Sequence, residues 1–222
     1  MRINKYVAQA TDLSRRAADA AIANGRVRVN GQPAETGQQI KPTDQVSLDN
    51  RPLILRSQTT TIMLHKPVGY VCSRDGQGSR TIYELLPSEL GHLKPVGRLD
   101  KDTSGLLLMT DDGQLAHKLT HPSFHKTKVY EITLNKALQP LHRQMISEHG
   151  VMLEDGVSRL SLERLTEKDD SRWRVAMHEG RNRQIRRTFA ALGYKVAKLH
   201  RTQFGPYHQG DLAAGKFDLK KI

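Results

Sequence analysis

The chain has 222 residues, one cysteine, and 35 Lys and Arg against 23 Asp and Glu, so its formal net charge is +12 at pH 7. A single cysteine excludes an internal disulfide and a cysteine-cluster zinc site. The excess of positive charge favours a polyanionic partner such as a nucleic acid. No stretch approaches the roughly 20 apolar residues of a membrane span, and the first residues do not form a signal-peptide core. We therefore expect a cytoplasmic protein without membrane contact.

The first 55 residues predict a small unit of two helices and a hairpin. Apolar residues recur at helical spacing from Ile3, and Ser14 is a suitable N-cap for a second helix that ends near Asn24-Gly25. Asn30-Gly31 is a strong hairpin signal because both residues tolerate positive φ. The sequence predicts one domain over residues 1–55 and a larger domain over residues 60–222, joined by a polar linker.

This order of elements resembles the alpha-L RNA-binding module first known from a small-subunit ribosomal protein. The matching residues are Leu13-Ser14-Arg15-Arg16 and the segment from Gly25 to Gly31. In that module a basic helix face contacts RNA, so the resemblance implies RNA contacts for Arg15, Arg16, Arg26 and Arg28. A solvated basic helix face is the structural alternative.

The larger domain opens with a short buried strand at Ile62-Met63-Leu64 and a turn at Lys66-Pro67-Val68-Gly69. Lys66 is a candidate for contacting an RNA phosphate or a catalytic loop, and a solvated lysine in a structural turn is the alternative. Tyr70-Val71-Cys72 predicts a further strand, with Cys72 in the core.

The segment Gly97-Arg98-Leu99-Asp100-Lys101-Asp102-Thr103-Ser104-Gly105 is followed by an apolar run that is typical of a buried strand. It resembles the signature loop of the pseudouridine synthases, in which the acid of the Arg-Leu-Asp triplet is catalytic. The resemblance therefore implies that Asp100 is the catalytic carboxylate. Because Gly97 stands where the RluA-type branch usually carries His, the match is closer to the RsuA/RluB/RluE/RluF group, which modifies ribosomal RNA.

A short helix is predicted after Asp111-Asp112-Gly113, and it stops before Pro122. Its His117 and His121, with His125 beyond, have a spacing that is compatible with a metal face. Because Pro122 interrupts the helix and no carboxylate or thiol completes a ligand set, we predict no metal site.

Residues Lys128 to Leu134 alternate as a strand with Tyr130 on its apolar face. A tyrosine in an apolar row is usually a core residue. Lys128-Val129-Tyr130 also resembles the Lys-x-Tyr element of the synthases, whose ring lies in the active site. The resemblance therefore implies that Tyr130 contacts the target base.

A strongly basic motif follows a strand that carries Trp173, Val175 and Met177, and residues 181–201 contain no acid. In the synthases the arginine of Gln-Ile-Arg lies beside the catalytic acid, which implies that Arg186 keeps Asp100 ionised and oriented. Candidates for RNA phosphate contacts are Arg181, Arg183 and Arg187, with ordinary helix-surface charge as the alternative. Arg98 is a further candidate for holding the RNA backbone.

These resemblances cover nearly the whole chain and imply an α+β protein. They imply a small N-terminal alpha-L module plus a pseudouridine synthase core, in which a mostly antiparallel mixed sheet is flanked by helices. The implied activity is isomerisation of a specific uridine in ribosomal RNA to pseudouridine. This reaction consumes no redox equivalent, phosphate or methyl donor, so we predict no cofactor. Asp100 would act as a nucleophile or as a base, and the sequence leaves both open.

A base methyltransferase and a ribosome-assembly factor are the two alternatives to pseudouridine formation. A base methyltransferase acting through Cys72 would need a methyl-donor site, and no glycine-rich strand-to-helix turn of that type is present. A noncatalytic RNA-binding ribosome-assembly factor would have no reason to keep Asp100, Tyr130 and Arg186 together. The expected partner is ribosomal RNA or a ribosomal assembly intermediate, bound by a monomer. The segment Gly180 to Gln184 resembles large-subunit enzymes more than the small-subunit one, but the target uridine stays open.

Overall fold

The computed structural model describes residues 1–11, 13–55 and 58–220. The chain divides into two compact units, Met1–Thr59 and Thr60–Ile222. Residues 56 and 57 of the expected linker, and the last two residues of the expected larger domain, lie outside the described residues. No helix within these ranges is long and apolar enough to span a membrane.

The N-terminal unit packs two helices and a four-stranded antiparallel sheet around one apolar cluster. Its elements are α1 (Ile3–Ala10), α2 (Arg15–Ala23), β1 (Val27–Val29), β2 (Gln32–Pro33), β3 (Val46–Leu48) and β4 (Arg51–Pro52), with strand order β2-β1-β3-β4. The Ser14 hydroxyl accepts the backbone N–H of Ala17. Asn30 and Gly31 both adopt positive φ. These contacts confirm the predicted N-cap and hairpin.

The larger unit contains three α-helices, eleven strands and several short helical turns within residues 58–220. Its strands are β5 (Thr61–Lys66), β6 (Lys94–Pro95), β7 (Ser104–Thr110), β8 (Lys128–Leu134), β9 (Val151–Leu153), β10 (Gly156–Ser158), β11 (Ser161–Arg164), β12 (Arg172–Met177), β13 (Val196–Phe204), β14 (Tyr207–His208) and β15 (Phe217–Lys220). Its helices are α3 (Gly113–Thr120), α4 (Pro140–Gln144) and α5 (Gln184–Ala190).

The main sheet has the strand order β11-β12-β8-β13-β7-β5-β15, with β14 paired to β13 and β6 paired to β7. Strands β13 and β7 run parallel, and the other described pairs are antiparallel. A separate hairpin is formed by β9 and β10. The α+β class and the mostly antiparallel mixed sheet predicted from the sequence are confirmed.

Strand β7 is buried from Gly105 to Thr110 and apolar from Leu106 to Met109, because helices cover both faces of the sheet. Leu106 and Leu108 pack with Leu119 of α3, whereas Leu107 and Met109 belong to the main core, which contains Ile185 and Phe189 of α5. Alternate side chains of a strand point to opposite faces, so α3 and α5 lie on opposite sides of the sheet. The segment that carries Asp100 enters this central strand directly.

The predicted strand at Tyr70-Val71-Cys72 is wrong. This segment forms a single isolated bridge between Val71 and Thr81, and its backbone hydrogen bonds go to residues 80 and 82 rather than to the main sheet. Cys72 is partly exposed, and its Sγ accepts the Leu99 N–H at 3.4 Å. The cysteine therefore lies beside the segment that carries Asp100.

Gly105 permits the close approach of β7 and β13. Its φ is +111°, and a Cβ at this position would lie 2.2 Å from the carbonyl oxygen of Arg201. The two residues are register partners in the parallel pair. Both the backbone conformation and the lack of space therefore require glycine here.

Gly105→Ala should lower the free energy of unfolding by about 1–3 kcal/mol or more, because the added methyl group must push two central strands apart. Urea-induced unfolding measures this loss. Gly113→Ala is the matched control, since a Cβ there meets no atom within 4 Å at the start of α3. Equal stability of the two variants would contradict the close approach.

Candidate active site

A cavity of about 560 Å³ opens beside the segment that connects β6 to β7. The segment contributes Arg98, Asp100 and Thr103 to the cavity lining, and β8 contributes Tyr130. Leu199, Met177 and Ile185 form an apolar part of the wall. The sheet therefore brings the predicted acid and the predicted aromatic residue into one pocket.

Asp100 is held by its backbone, while its carboxylate faces the cavity. The Asp100 carbonyl accepts hydrogen bonds from Lys66 Nζ at 3.0 Å and from the Thr103 N–H at 3.1 Å. The side chain is 33% exposed, and the nearest cation is Arg183 Nη1 at 3.5 Å from Oδ2. No described residue donates a hydrogen bond to this carboxylate. Its oxygens are therefore available to a bound substrate.

Lys66 is completely buried at the end of β5. Its Nζ donates to the carbonyls of Pro67, Asp100 and Thr103 at 3.0, 3.0 and 2.7 Å. Burial lowers the pKa of this ammonium group. The proposed phosphate contact and the solvated alternative are both wrong, because no surface of Lys66 is exposed and carbonyls occupy its N–H groups. Contact with the catalytic loop is the alternative that the structure supports.

Two arginines at the start of α5 contact Asp102 of the same loop. Arg183 Nη1 and Nη2 donate to Asp102 Oδ1 and Oδ2 at 3.0 and 2.9 Å. Arg186 Nη2 donates to the Asp102 carbonyl at 2.8 Å, and its Nη1 donates to the Val196 carbonyl at 2.7 Å. Arg186 Nε lies 3.3 Å from Asp102 Oδ2 but lacks hydrogen-bond geometry.

The predicted direct partnership of Arg186 with Asp100 is therefore wrong. Arg186 does not line the cavity, and its hydrogen bonds fix the backbone of Asp102. Arg183, which we predicted to contact RNA phosphate, is instead the guanidinium nearest to Asp100. The hydrogen bonds between Arg183 and Asp102 lower the pKa of the Asp102 carboxyl and raise the pKa of Arg183.

The backbone of Arg183 explains why its side chain reaches this loop. It is the N-cap of α5 and adopts a left-handed conformation, with φ 47° and ψ 30°. A left-handed conformation is uncommon for a residue other than glycine, and such outliers often occur at functional sites. The bidentate contact with Asp102 helps to hold Arg183 in this conformation.

Arg181 and Arg187 bind Asp155 rather than facing solvent freely. Arg181 Nη1 and Nη2 donate to Asp155 Oδ1 and to the carbonyls of residues 155–157, at 2.8–3.0 Å. Arg187 Nη2 donates to Asp155 Oδ2 at 2.6 Å, and its Nε donates to the Asn182 carbonyl at 2.9 Å. Arg181 lines the cavity, but its Nη groups donate to protein oxygens and its Nε is buried, so its contact with RNA phosphate stays a prediction. Arg187 would have to leave its ion pair to contact RNA.

Tyr130 and Arg98 both line the cavity. Tyr130 is buried, lines the cavity and pairs with Val175 across β8 and β12. Arg98 is exposed, and it makes neither a hydrogen bond nor an ion pair with any described residue. Arg98 therefore remains available for an RNA phosphate.

The four arginines predicted to bind RNA in the N-terminal unit are all exposed. Arg26 forms a bidentate ion pair with Asp49, and Arg28 donates to the Gly31 carbonyl at 3.0 Å. Arg15 donates to Asn4 Oδ1 at 3.2 Å. Arg16 is the one of the four with no hydrogen-bond partner among residues 1–11 and 13–55.

Arg201 and Lys128 also line the cavity, which the sequence pattern did not indicate. Arg201 lines the cavity but is only 2% exposed. Cys72 also lines the cavity, and burial raises the pKa of its thiol. A raised pKa disfavours the thiolate that a methyltransferase mechanism through Cys72 would require.

Comparisons with known proteins agree with this geometry. Residues 60–191 match the family described as RNA pseudouridylate synthase, and residues 1–46 match the S4 domain. A solved structure described as a pseudouridylate synthase is 34% identical, with a TM-score of 0.72 over 100% of this chain and 96% of that chain. The chain belongs to the RNA pseudouridylate synthase family and carries an S4 domain.

Curated relatives include enzymes of both ribosomal subunits. The chain is 37% identical over 220 residues to the ribosomal small subunit pseudouridine synthase A of Pasteurella multocida, covering 98% of this chain and 94% of that protein. It is 36% identical over 211 residues to the ribosomal large subunit pseudouridine synthase B of Bacillus subtilis, covering 91% and 85%. The synthase B of Xanthomonas campestris is longer, and the match covers 44% of it.

Lys66→Met should lower the free energy of unfolding by about 1–3 kcal/mol, because three carbonyls lose a donor while the cost of burying a cation is removed. Denaturant unfolding measures this change. Lys101→Met is the matched control, since Lys101 is exposed and donates to Ser79 Oγ. Lys101→Met should change the free energy of unfolding little. An equally small loss in Lys66→Met would contradict the proposed anchoring of the loop.

Proposed function

We propose that this chain isomerises a specific uridine in ribosomal RNA to pseudouridine, with Asp100 as the catalytic carboxylate. One observation carries the proposal: the Asp100 backbone is anchored, while its carboxylate is open to a cavity that also holds Tyr130 and Arg183. General-base or nucleophilic catalysis requires a carboxylate that is held in position but whose oxygens are not occupied by protein hydrogen-bond donors.

The reaction breaks the bond between the base nitrogen and the sugar, turns the base within the pocket and rejoins it through carbon 5. Asp100 would begin this sequence by attacking as a nucleophile or by abstracting a ribose proton. Tyr130 would stack on the detached base and help to remove the proton at carbon 5. Substrate and product have the same composition, so the reaction requires no net supply of electrons or groups.

A uridine within a folded RNA must leave its helical stack to enter the cavity. Arg98 would hold the neighbouring RNA backbone, and the exposed arginines of the N-terminal unit would add further phosphate contacts. The names of the relatives suggest ribosomal RNA as the substrate class. Since both subunits are represented at similar identity, the preference for the large subunit stays a prediction.

We also propose cytoplasmic action as a monomer on ribosomal RNA or on an assembling particle. The proposed catalytic residues Asp100 and Tyr130 and the neighbouring Arg183 line one cavity of a single chain, which supports the monomer. A noncatalytic assembly factor remains the alternative function. It would bind the same RNA without changing a uridine.

The test of this function is pseudouridine mapping. The purified protein is incubated with unmodified ribosomal RNA, and the mapped position is compared with ribosomal RNA from cells that lack the protein. We expect one new pseudouridine in vitro at the position where the modification is missing from those cells. Binding of the RNA with no pseudouridine formed would support the assembly factor instead.

Arg183, rather than Arg186, is proposed to orient the Asp100 carboxylate. Arg183 Nη1 lies between the carboxylates of Asp100 and Asp102, at 3.5 and 3.0 Å. Asp102 is proposed as a positioning residue, because its bidentate contact fixes the direction of the guanidinium. Arg186 supports the arrangement by holding the Asp102 carbonyl.

Asp102→Asn should reduce the single-turnover rate of pseudouridine formation by roughly 10- to 100-fold, the scale of a small displacement of catalytic groups. RNA affinity should change little, because Asp102 contacts protein cations rather than substrate. Asp211→Asn, at an exposed acid of the same unit, is the control and should keep the wild-type rate. An Asp102→Asn enzyme with a normal rate would exclude the positioning role.

RNA affinity should depend steeply on salt. If six or more Lys and Arg contact phosphates, affinity should fall on the order of a thousandfold between 50 and 200 mM salt. Arg16→Ala should lower the slope of log affinity against log salt concentration by about one, the value for one lost phosphate contact. Arg26→Ala should lower this slope less, because Arg26 is already paired with Asp49. Filter binding at several salt concentrations measures these slopes. An affinity that does not change with salt would contradict phosphate contacts by the Lys and Arg residues.

A further inference from the structure

Two cations in the catalytic cavity are not used by the chemistry above. Arg201 lies on β13 and Lys128 begins β8, and both line the cavity that contains Asp100. Arg201 Cζ lies 4.8 Å from the centroid of the Phe204 ring, and Lys128 Nζ lies 5.6 Å from the same centroid. Two positive charges are therefore gathered at one side of the pocket.

Strand register explains this placement. Arg201 is the register partner of Tyr130, and Phe204 is the register partner of Lys128 in the pairing of β13 with β8. Lys128 and Tyr130 are two residues apart on β8, so they share one face of the strand. The cations therefore stand beside the ring that we propose to stack on the target base.

The polar groups of both side chains are only partly satisfied by protein. Arg201 Nε donates to the Leu106 carbonyl at 2.8 Å, whereas its Nη2 is buried without a partner. Lys128 Nζ donates one hydrogen bond, to the Glu179 carbonyl at 3.1 Å. Buried unpaired donors are rare in folded proteins and call for a specific explanation.

Neither cation forms an ion pair with a carboxylate within residues 58–220. The nearby Glu179 carboxylate is instead hydrogen-bonded by Gln184 and lies 3.3 Å from Arg181 Nη2. Burial lowers the pKa of Lys128 and the charge of Arg201 lowers it further, while the charge of Glu179 offsets part of this shift. Two like charges that no carboxylate pairs with directly are unfavourable in a partly enclosed site, unless a ligand supplies the anion.

We propose that Lys128 and Arg201 bind one backbone phosphate adjacent to the target uridine. This inference rests on the proposed function. A uracil carbonyl would accept a hydrogen bond but would leave the charge uncompensated, whereas a phosphate supplies both oxygens and negative charge. The lysine acts as a point charge and the guanidinium as a planar donor.

A neighbouring cleft gives the RNA strand a path past this phosphate. The cleft has a volume of about 890 Å³ and shares Lys128, Thr120, Met177, Gly180 and Arg181 with the catalytic cavity. Its lining also includes the exposed Arg159, which has no hydrogen-bond or ion-pair partner in the described part of the chain. A phosphate at Lys128 would thus lie where the flipped uridine joins the next nucleotide.

The experiment combines a neutral RNA linkage with a neutral protein side chain. RNA fragments spanning the mapped uridine carry a single uncharged methylphosphonate on its 5′ or its 3′ side. Their dissociation constants are measured with the wild-type enzyme and with Lys128→Met. At one of the two positions, the neutral linkage should weaken wild-type binding roughly tenfold, and Lys128→Met should weaken binding of the normal RNA similarly.

The two changes together should weaken binding no further than either change alone. Lys168→Met, at an exposed lysine outside both cavities, should instead show additive effects. Arg201→Lys, with its folding checked by thermal unfolding, should reduce the penalty of the same linkage. Additive losses at both positions, or normal binding by Lys128→Met, would overturn the proposal. Failure of the proposed function would show separately, as absence of pseudouridine from wild-type reactions with unsubstituted RNA.

Discussion

Three hydrogen bonds from the buried ammonium of Lys66 hold the loop on which the proposed chemistry depends. Two of them end on the carbonyls of Asp100 and Thr103, so the backbone is fixed on both sides of the loop residue Asp102. Because Lys66 donates to carbonyls only, the Asp100 carboxylate keeps both oxygens free of hydrogen bonds from the described residues. The hydrogen bonds that stabilise the loop therefore use the Asp100 carbonyl, whereas the proposed chemistry uses its carboxylate.

The opposite side of the loop is held by the start of α5. Arg183 and Arg186 bind the Asp102 side chain and carbonyl, while Arg181 and Arg187 bind Asp155. Much of the basic motif therefore organises protein structure. The proposed RNA contacts therefore fall to cations without an ion-pair partner, of which Arg16, Arg98 and Lys128 are examples within the described residues.

Local pattern predicted much of the fold, because strand alternation, helix caps and the Asn30-Gly31 turn are encoded by neighbouring residues. The positions of Asp100 and Tyr130 followed from a family resemblance carried by short motifs. The contact of Asp100 with Arg183 rather than Arg186 could not be predicted from spacing, since it depends on a left-handed residue 81 positions from Asp102 in the sequence. Burial of Lys66 and Arg201 likewise depends on which strands become neighbours in the sheet.

The most direct test of the central claim is the activity of Asp100→Asn, measured together with its RNA affinity. Asparagine keeps the size and hydrogen-bonding capacity of the side chain but removes the carboxylate. We expect RNA binding close to that of the wild type and no detectable pseudouridine. Retention of more than about a tenth of the wild-type rate, a loss below roughly 1.4 kcal/mol of transition-state stabilisation, would contradict it.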